Sequence, residues 1–228
     1  MLIFKTFFKI AYAIVQFMKK KVTFGGLRNF NLFMAILHFV QGCLILALSK
    51  GFSLPVSGNY LTFNQSSQSL DPATSVLFNV SVPLLIALFL FMSAGAHLFI
   101  ATSYHKSYVA NLAKGINKAR WIEYALSASV MMVAIALLVG VYDFVSLLCI
   151  FALVAVMNLT GLVMEIHNQT TKKTSWLSYY VGCLAGAIPW IAVVFYFWLS
   201  SYKGSSPPAF VYWIFVSIFF FFSCFAVN

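Results

Sequence analysis

The sequence is poor in charge, and above all in acidic residues. Only 8% of its 228 residues are charged, and Asp and Glu together number 4 against 14 Lys and Arg. A soluble domain usually carries about 25% charged residues, so this scarcity excludes a soluble enzyme and a disordered tail. A hydrophobic fraction of 62% is typical of a chain that resides in a membrane.

Motifs for metal binding and enzyme chemistry are missing as well. The four cysteines lie inside apolar runs, at spacings that match no zinc motif or disulfide framework, and we interpret them as packing residues (Cys43, Cys149, Cys183 and Cys224). The chain has no His-Glu-x-x-His pattern, nucleophile elbow or Gly-rich phosphate loop. The sequence therefore predicts neither an enzyme nor a metal site.

Long apolar runs dominate what is present. Each reaches or nears the ~20 residues that cross a bilayer as a helix, and the predicted spans are 31–49, 76–103, 121–141, 144–166, 177–199 and 208–228. The runs do not alternate and are too long for the strands of a membrane barrel. The sequence predicts an all-α, multi-pass membrane protein in which residues 27–228 form the bundle.

The basic residues are sorted by side. All of them except Lys50 and Lys203 fall in the N-terminal segment, the loop after the second span or the loop after the fourth. The positive-inside rule then places the N-terminus in the cytoplasm, and the plasma membrane is the expected location. Because these bases lie between apolar spans and not on one face, the net charge of +10 does not indicate nucleic-acid binding.

Two segments outside the spans complete the predicted layout. Residues 1–26 are expected to form a cytoplasmic amphipathic segment. Residues 50–75 are expected to form an external loop, where the weak alternation over 58–63 predicts a short hairpin. Asn64 begins a glycosylation sequon in that loop, a pattern of low specificity.

Polar side chains inside the spans are costly, so each is a candidate for function. Those in the first four spans lie toward the predicted cytoplasmic side: His38 and Gln41, then Ser93 and His97, then Arg120, Glu123, Tyr124 and Ser127, then Asn158 and Glu165. Neighbours within a span are three, four or seven residues apart and share a helix face. At a rise of 1.5 Å per residue, the sequence predicts one polar cavity shared by four helices.

The same polar residues also have simpler interpretations. A single intramembrane histidine often serves only to satisfy a neighbour's hydrogen bond, Arg120 is equally well read as an interfacial flank, and Glu165 is interpreted as interfacial. Glu123 needs a cationic partner, a donor or a proton-transfer role. Trp190 and Tyr212 are candidate walls for a flat apolar ligand, or else ordinary packing aromatics.

Several of these residues stand in motifs that resemble the heliorhodopsin family. The third span begins with Arg-Trp-Ile-Glu-Tyr-Ala-Leu-Ser at 120–127, and Leu-Arg-Asn-Phe-Asn at 27–31 leads to His38 and Gln41. Ser-Ala-Gly-Ala-His at 93–97, Ala-Gly-Ala-Ile-Pro-Trp at 185–190 and Phe-Val-Tyr at 210–212 resemble the second, fifth and sixth helices. The resemblance covers about residues 27–228, and the inverted topology is similar too.

The resemblance implies a seven-helix, rhodopsin-like photoreceptor that binds all-trans retinal, is commonly dimeric, and signals or regulates through an unidentified partner instead of pumping ions. Glu123 then corresponds to the counterion of the protonated retinal Schiff base, with His38, His97 and Ser93 around it. We add as candidates for the retinal site six further residues named above, namely Gln41, Tyr124, Ser127, Asn158, Trp190 and Tyr212.

One feature departs from the family pattern. The retinal lysine of the family lies on a seventh helix, whereas every lysine here falls in a terminal segment or a loop. We therefore expect a seventh helix with a central lysine to follow Asn228; a separately supplied helix and a retinal-free protein are the alternatives. The competing functions are a light-gated or passive proton channel and a non-photoactive membrane interaction protein.

Overall fold

The computed structural model describes residues 23–204 and 207–227. In chain order these form α1 (Phe24–Leu48), a hairpin of β1 (Ser53–Asn64) and β2 (Ser69–Ser81), α2 (Val82–Ala101), α3 (His105–Leu112), α4 (Lys118–Leu138), α5 (Phe144–His167), α6 (Leu177–Lys203) and α7 (Ala209–Val227). The predicted N-terminal segment lies outside the described residues up to position 22, and residues 24–26 already belong to α1.

The chain is an all-α membrane protein, as the sequence predicted. Five helices, α1, α2, α4, α5 and α6, are long and apolar enough to cross a membrane, and α7 is a shorter apolar helix. Successive helices run in opposite directions, with α1 packed on α2, α2 on α4, α4 on α5 and α5 on α6. One end of the bundle therefore carries the hairpin (the hairpin end), and the other carries α3 and most bases of the described residues (the basic end).

The core is centred on α4, because this helix has neighbours on several sides. Met132 and Leu137 of α4 are fully buried with Val154 of α5 and Val193 of α6. Small residues let α5 and α6 approach closely: a Cβ at Gly186 would overlap the sulfur of Met157. In a membrane, where lipid is as apolar as a side chain, such close van der Waals packing stabilises helix pairs.

The hairpin corrects the predicted boundary of the second span. β1 and β2 pair antiparallel from Ser53 opposite Ser81 to Asn64 opposite Ser69, so the hairpin is far longer than 58–63. Residues 76–81, predicted to be helical, lie in β2 instead. The helix begins where Ser81 caps the amide of Leu84 and Pro83 occupies the first turn, a position at which proline loses no hydrogen bond. Apolar content alone did not reveal this start.

The hairpin is fastened to the bundle through Asp143, the residue before α5. The amide of Ser57 donates to the carbonyl oxygen of Tyr142 at 2.8 Å, and Asn59 Nδ2 donates to Asp143 Oδ1 at 3.1 Å. Asp143 Oδ2 accepts from the Ser146 amide at 2.8 Å and so caps α5. The hydrogen bonds from the Ser146 amide and hydroxyl lower the pKa of Asp143 below its ordinary value. One carboxylate thus holds both a helix start and the hairpin.

This geometry predicts a pH-dependent contribution to stability. Asp143 has a depressed folded pKa, so its contribution is present above its ordinary pKa of 3.8 and is lost as pH falls through the folded pKa. We expect Asp143→Ala to lower the free energy of unfolding by about 0.5–1 kcal/mol at neutral pH. The difference in stability between wild type and Asp143→Ala should become smaller from neutral pH to about pH 3, as measured by thermal unfolding in detergent. Asp71→Ala, at the hairpin tip, is the matched control, and a pH-independent loss would contradict the assignment.

Candidate functional site

Glu123 lies on the central helix α4, near the basic end, and faces α2. The hydroxyl of Ser93 donates to Glu123 Oε1 at 2.6 Å. Ser127, one turn further along α4 and almost fully buried, also lies within hydrogen-bonding reach of this carboxylate. Over residues 23–204 and 207–227 the one ion pair is Arg120 with Glu165, so no lysine or arginine there neutralises Glu123.

Two stacked histidines lie beside this carboxylate. The rings of His38 and His97 are 5.6 Å apart between centroids and inclined by 22°. His97 donates through Nδ1 to Asn31 Oδ1 at 2.7 Å, and Asn31 Nδ2 in turn donates to the Leu27 carbonyl oxygen at 2.8 Å. His38 interacts electrostatically with Glu123 and is hydrogen-bonded through Nδ1 to Gln41 Oε1 at 3.1 Å. We call Asn31, His38, Gln41, Ser93, His97, Glu123 and Ser127 the Glu123 cluster.

Asn31 is the member that sequence reasoning did not single out. It is 4% exposed and joins α1 to α2 through His97. The available signal was its spacing, because Asn31 and His38 are seven residues apart and therefore lie on the same face of α1. The candidate Gln41 lies on that face too, although its side chain is exposed in the described chain.

Arg120 and Glu165 form a second, separate cluster between α4 and α5. Arg120 Nη2 donates to Glu165 Oε1 at 3.0 Å, and the Asn117 amide donates to Glu165 Oε2 at 2.7 Å. The side chains of Arg120 and Glu165 are only 24% and 15% exposed, so Glu165 is paired and partly buried, and its position at the membrane interface stays a prediction. We call Asn117, Arg120 and Glu165 the Arg120 cluster.

The structure thus divides the single cavity predicted from sequence. Arg120 and Glu123 are three residues apart on α4, which rotates them by about 60° around the helix axis. In a central helix this angle is enough to direct Arg120 toward α5 and Glu123 toward α2. Asn158, the other predicted member, donates from Nδ2 to the carbonyl oxygens of Tyr124 (3.3 Å) and Val154 (2.9 Å).

An apolar groove of about 850 Å³ runs between α5, α6 and α7 and is closed on the α4 side by Trp121. Its walls include Trp121, Asn158, Gly161, Gly182, Gly186, Ala187, Trp190, Phe219 and Phe222. Trp190 is buried and makes edge-to-face contacts with Phe219 and Phe222. Tyr212, the other predicted aromatic wall, is not among the lining residues; it is partly exposed and contacts Phe197 edge-to-face.

These features define a multi-pass helical membrane protein with an intramembrane carboxylate, Glu123, that faces α2 and an aromatic groove that Trp121 of the same helix lines. The family model for heliorhodopsins matches residues 27–228, and the chain belongs to the heliorhodopsin family, which confirms the family predicted from the sequence motifs. A comparison with curated proteins found no match. The family comprises retinal-binding membrane proteins of the photoreceptor type.

The residues present fit a retinal chromophore in two respects. The groove is apolar, lined by aromatic side chains and, at about 850 Å³, large enough for a polyene; the buried Trp190 Nε1, which has no hydrogen-bond partner among the described residues, lies in its wall. Glu123 supplies a carboxylate that has no lysine or arginine partner in that part of the chain. The lysines of the described part lie at helix ends or in connections, so they supply no anchor within the groove.

Proposed function

We propose that this protein is a light-sensing retinal photoreceptor that signals or regulates, with Glu123 as the counterion of the Schiff base. The observation that carries this proposal is the position of Glu123. A carboxylate within a membrane needs a cation or strong donors, and Glu123 has the Ser93 hydroxyl at 2.6 Å but no lysine or arginine partner in the described chain. Bound through a lysine amine, retinal would supply visible absorption and a cationic Schiff base.

The surrounding residues support that assignment through their hydrogen bonds. Ser93 donates its hydroxyl to Glu123 Oε1 at 2.6 Å, and Ser127 offers a second hydroxyl one turn further along α4. In the stacked pair, His97 uses Nδ1 toward Asn31, and His38 uses Nδ1 toward Gln41. Among the described residues, the Nε2 atoms of both rings have no hydrogen-bond partner.

The distribution of polar groups favours a sensor over a channel. Both clusters lie toward the basic end, whereas toward the hairpin end the core consists of apolar side chains such as Met132, Ile135 and Leu137. A proton channel needs polar groups or water along its whole length. The charge asymmetry supports a cytoplasmic N-terminus. We extend to this chain a location in the plasma membrane, a dimeric state and an unidentified signalling partner.

The decisive experiment combines spectroscopy with electrophysiology on the full-length protein. We expect added all-trans retinal to produce a visible absorption band that illumination changes reversibly, without a sustained photocurrent under voltage clamp. Protein prepared without retinal is the control. A light-dependent proton current that disappears in Glu123→Gln would establish the channel instead. A folded full-length protein that takes up no retinal would establish the non-photoactive interaction protein.

A further inference from the structure

Trp121 is the residue through which the Arg120 cluster meets the groove. The guanidinium carbon of Arg120 lies 4.4 Å from the centroid of the Trp121 ring, a cation–π distance. The same indole forms the wall of the groove on the α4 side. Two consecutive residues of α4 therefore have different contacts: Arg120 binds Glu165 of α5, and Trp121 faces the groove.

The matching residues of α5 lie one turn apart. Gly161 and Glu165 are separated by four residues and share a helix face. Glu165 binds Arg120, and a Cβ at Gly161 would overlap the outer edge of the Trp121 ring, so the indole rests directly on the backbone of α5. Its orientation is therefore limited on one side by Gly161 and on another by the guanidinium of Arg120.

Both oxygens of Glu165 are used to hold this arrangement. Oε1 accepts from Arg120 Nη2, and Oε2 accepts from the Asn117 amide at the start of α4. Asn117 Oδ1 also accepts from the Arg120 amide at 3.2 Å, which caps the helix. The carboxylate thus ties the helix start and the guanidinium together. The guanidinium is held by one hydrogen bond, from Nη2, and the indole of Trp121 lies against it.

We propose that Arg120 and Glu165 are positioning residues for Trp121 and so set the shape of the groove that receives the chromophore. The pair acts on the ligand through the indole and does not touch it. The effect on retinal rests on the proposed function, whereas the effect on the indole does not. Disruption of the pair should release the ring, widen the wall and change both retinal uptake and the absorption maximum.

The first test uses the full-length protein without retinal. Tryptophan emission and acrylamide quenching are measured for wild type, Arg120→Met and Glu165→Gln. Each protein is also prepared with Trp121→Phe, and the difference between the two signals gives the contribution of Trp121. We expect the Trp121 emission to move to longer wavelength in both variants, with quenching increased by about twofold or more. Lys118→Met, which removes a positive charge from the same helical turn and leaves the ion pair intact, should leave the signal unchanged.

Arg120→Lys separates the ion pair from the stacking. Lysine retains a charge for Glu165 but lacks the planar guanidinium, so we expect an intermediate change in Trp121 emission. This variant and Glu165→Asp also keep the test open if the neutral substitutions fail to fold. An unchanged Trp121 signal in folded Arg120→Met and Glu165→Gln would overturn the proposal.

The second test uses the pigment. We measure a double-mutant cycle with Arg120→Met, Trp121→Phe and the double variant. The measured quantities are the retinal affinity and the absorption maximum. We expect the double variant to resemble Trp121→Phe, with a coupling of about two- to fivefold in affinity. If the effects of the two substitutions on retinal affinity were additive, the proposal would be overturned even where a pigment forms. Absence of a visible band in every protein would instead refute the proposed function, and the fluorescence experiment would still decide the role of Arg120.

Discussion

Glu123→Gln is expected to abolish the visible absorption band at neutral pH, with the pigment absorbing in the near ultraviolet instead. The substitution keeps the size of the side chain and the acceptor for Ser93, which lies 2.6 Å away, but removes the negative charge. Removing one partner of a buried ion pair costs about 3–5 kcal/mol, which corresponds to more than about a hundredfold change in a protonation equilibrium. Where acid restores the protonated form, the band should lie at longer wavelength than in wild type.

The controls for this prediction follow from the contacts of the carboxylate. Glu123→Asp keeps the charge and should keep a visible band. Ser93→Ala removes one hydrogen bond and leaves the anion, so we expect a smaller displacement of the band than in Glu123→Gln. Absorption spectra across pH for the four proteins provide the measurement. A Glu123→Gln band identical to that of wild type would remove Glu123 from the counterion role.

Ala187→Trp is expected to block the uptake of retinal while the bundle remains folded. Ala187 lines the groove on α6 beside Gly186, and an indole there would occupy space that the proposed ligand needs. Overpacking a formed site typically costs about 1–3 kcal/mol, so we expect the affinity for retinal to fall by about tenfold or more. Titration with all-trans retinal, followed by the visible band, measures the effect.

Leu184→Trp is the matched control, because it places the same side chain on the same helix away from the groove. Leu184 is 67% exposed and is not among the residues that line the cavity. It should bind retinal as wild type does, and circular dichroism should show equal helix content in both variants. Wild-type uptake by Ala187→Trp would place the retinal elsewhere, without weakening the assignment of the bundle.

The fold was predictable from sequence to the extent that it depends on composition. Runs of about 20 apolar residues can satisfy their backbone in lipid only as helices, and the predicted start of α5 at Phe144 and of α6 at Leu177 agree with the structure. The start of α2 was not predictable in this way, because residues 76–81 are apolar enough for a span but pair with β1. Strand pairing depends on a partner strand, and hydropathy carries no information about that partner.

For the candidate site, sequence identified single residues better than pairs. Glu123 could be singled out from the cost of a carboxylate within a membrane, and its proposed role as the counterion awaits the spectroscopic test. The family motifs were recognisable in order along the chain, and the match over residues 27–228 confirms that prediction. By contrast, nothing in the spacing of Arg120, Glu123 and Ser127 on one helix indicated that Arg120 belongs to a different cluster.

The sequence by itself determined that this protein crosses the membrane as helices and belongs to the heliorhodopsin family, because hydropathy and short motifs are properties of local sequence. Only the tertiary structure decided which helix each polar side chain faces. Ser93 with Glu123, His97 with Asn31, and Glu165 with Arg120 are pairs from different helices, 30, 66 and 45 residues apart. Their meeting depends on the rotation of each helix in the bundle, which the packing of neighbouring helices fixes and no local pattern encodes.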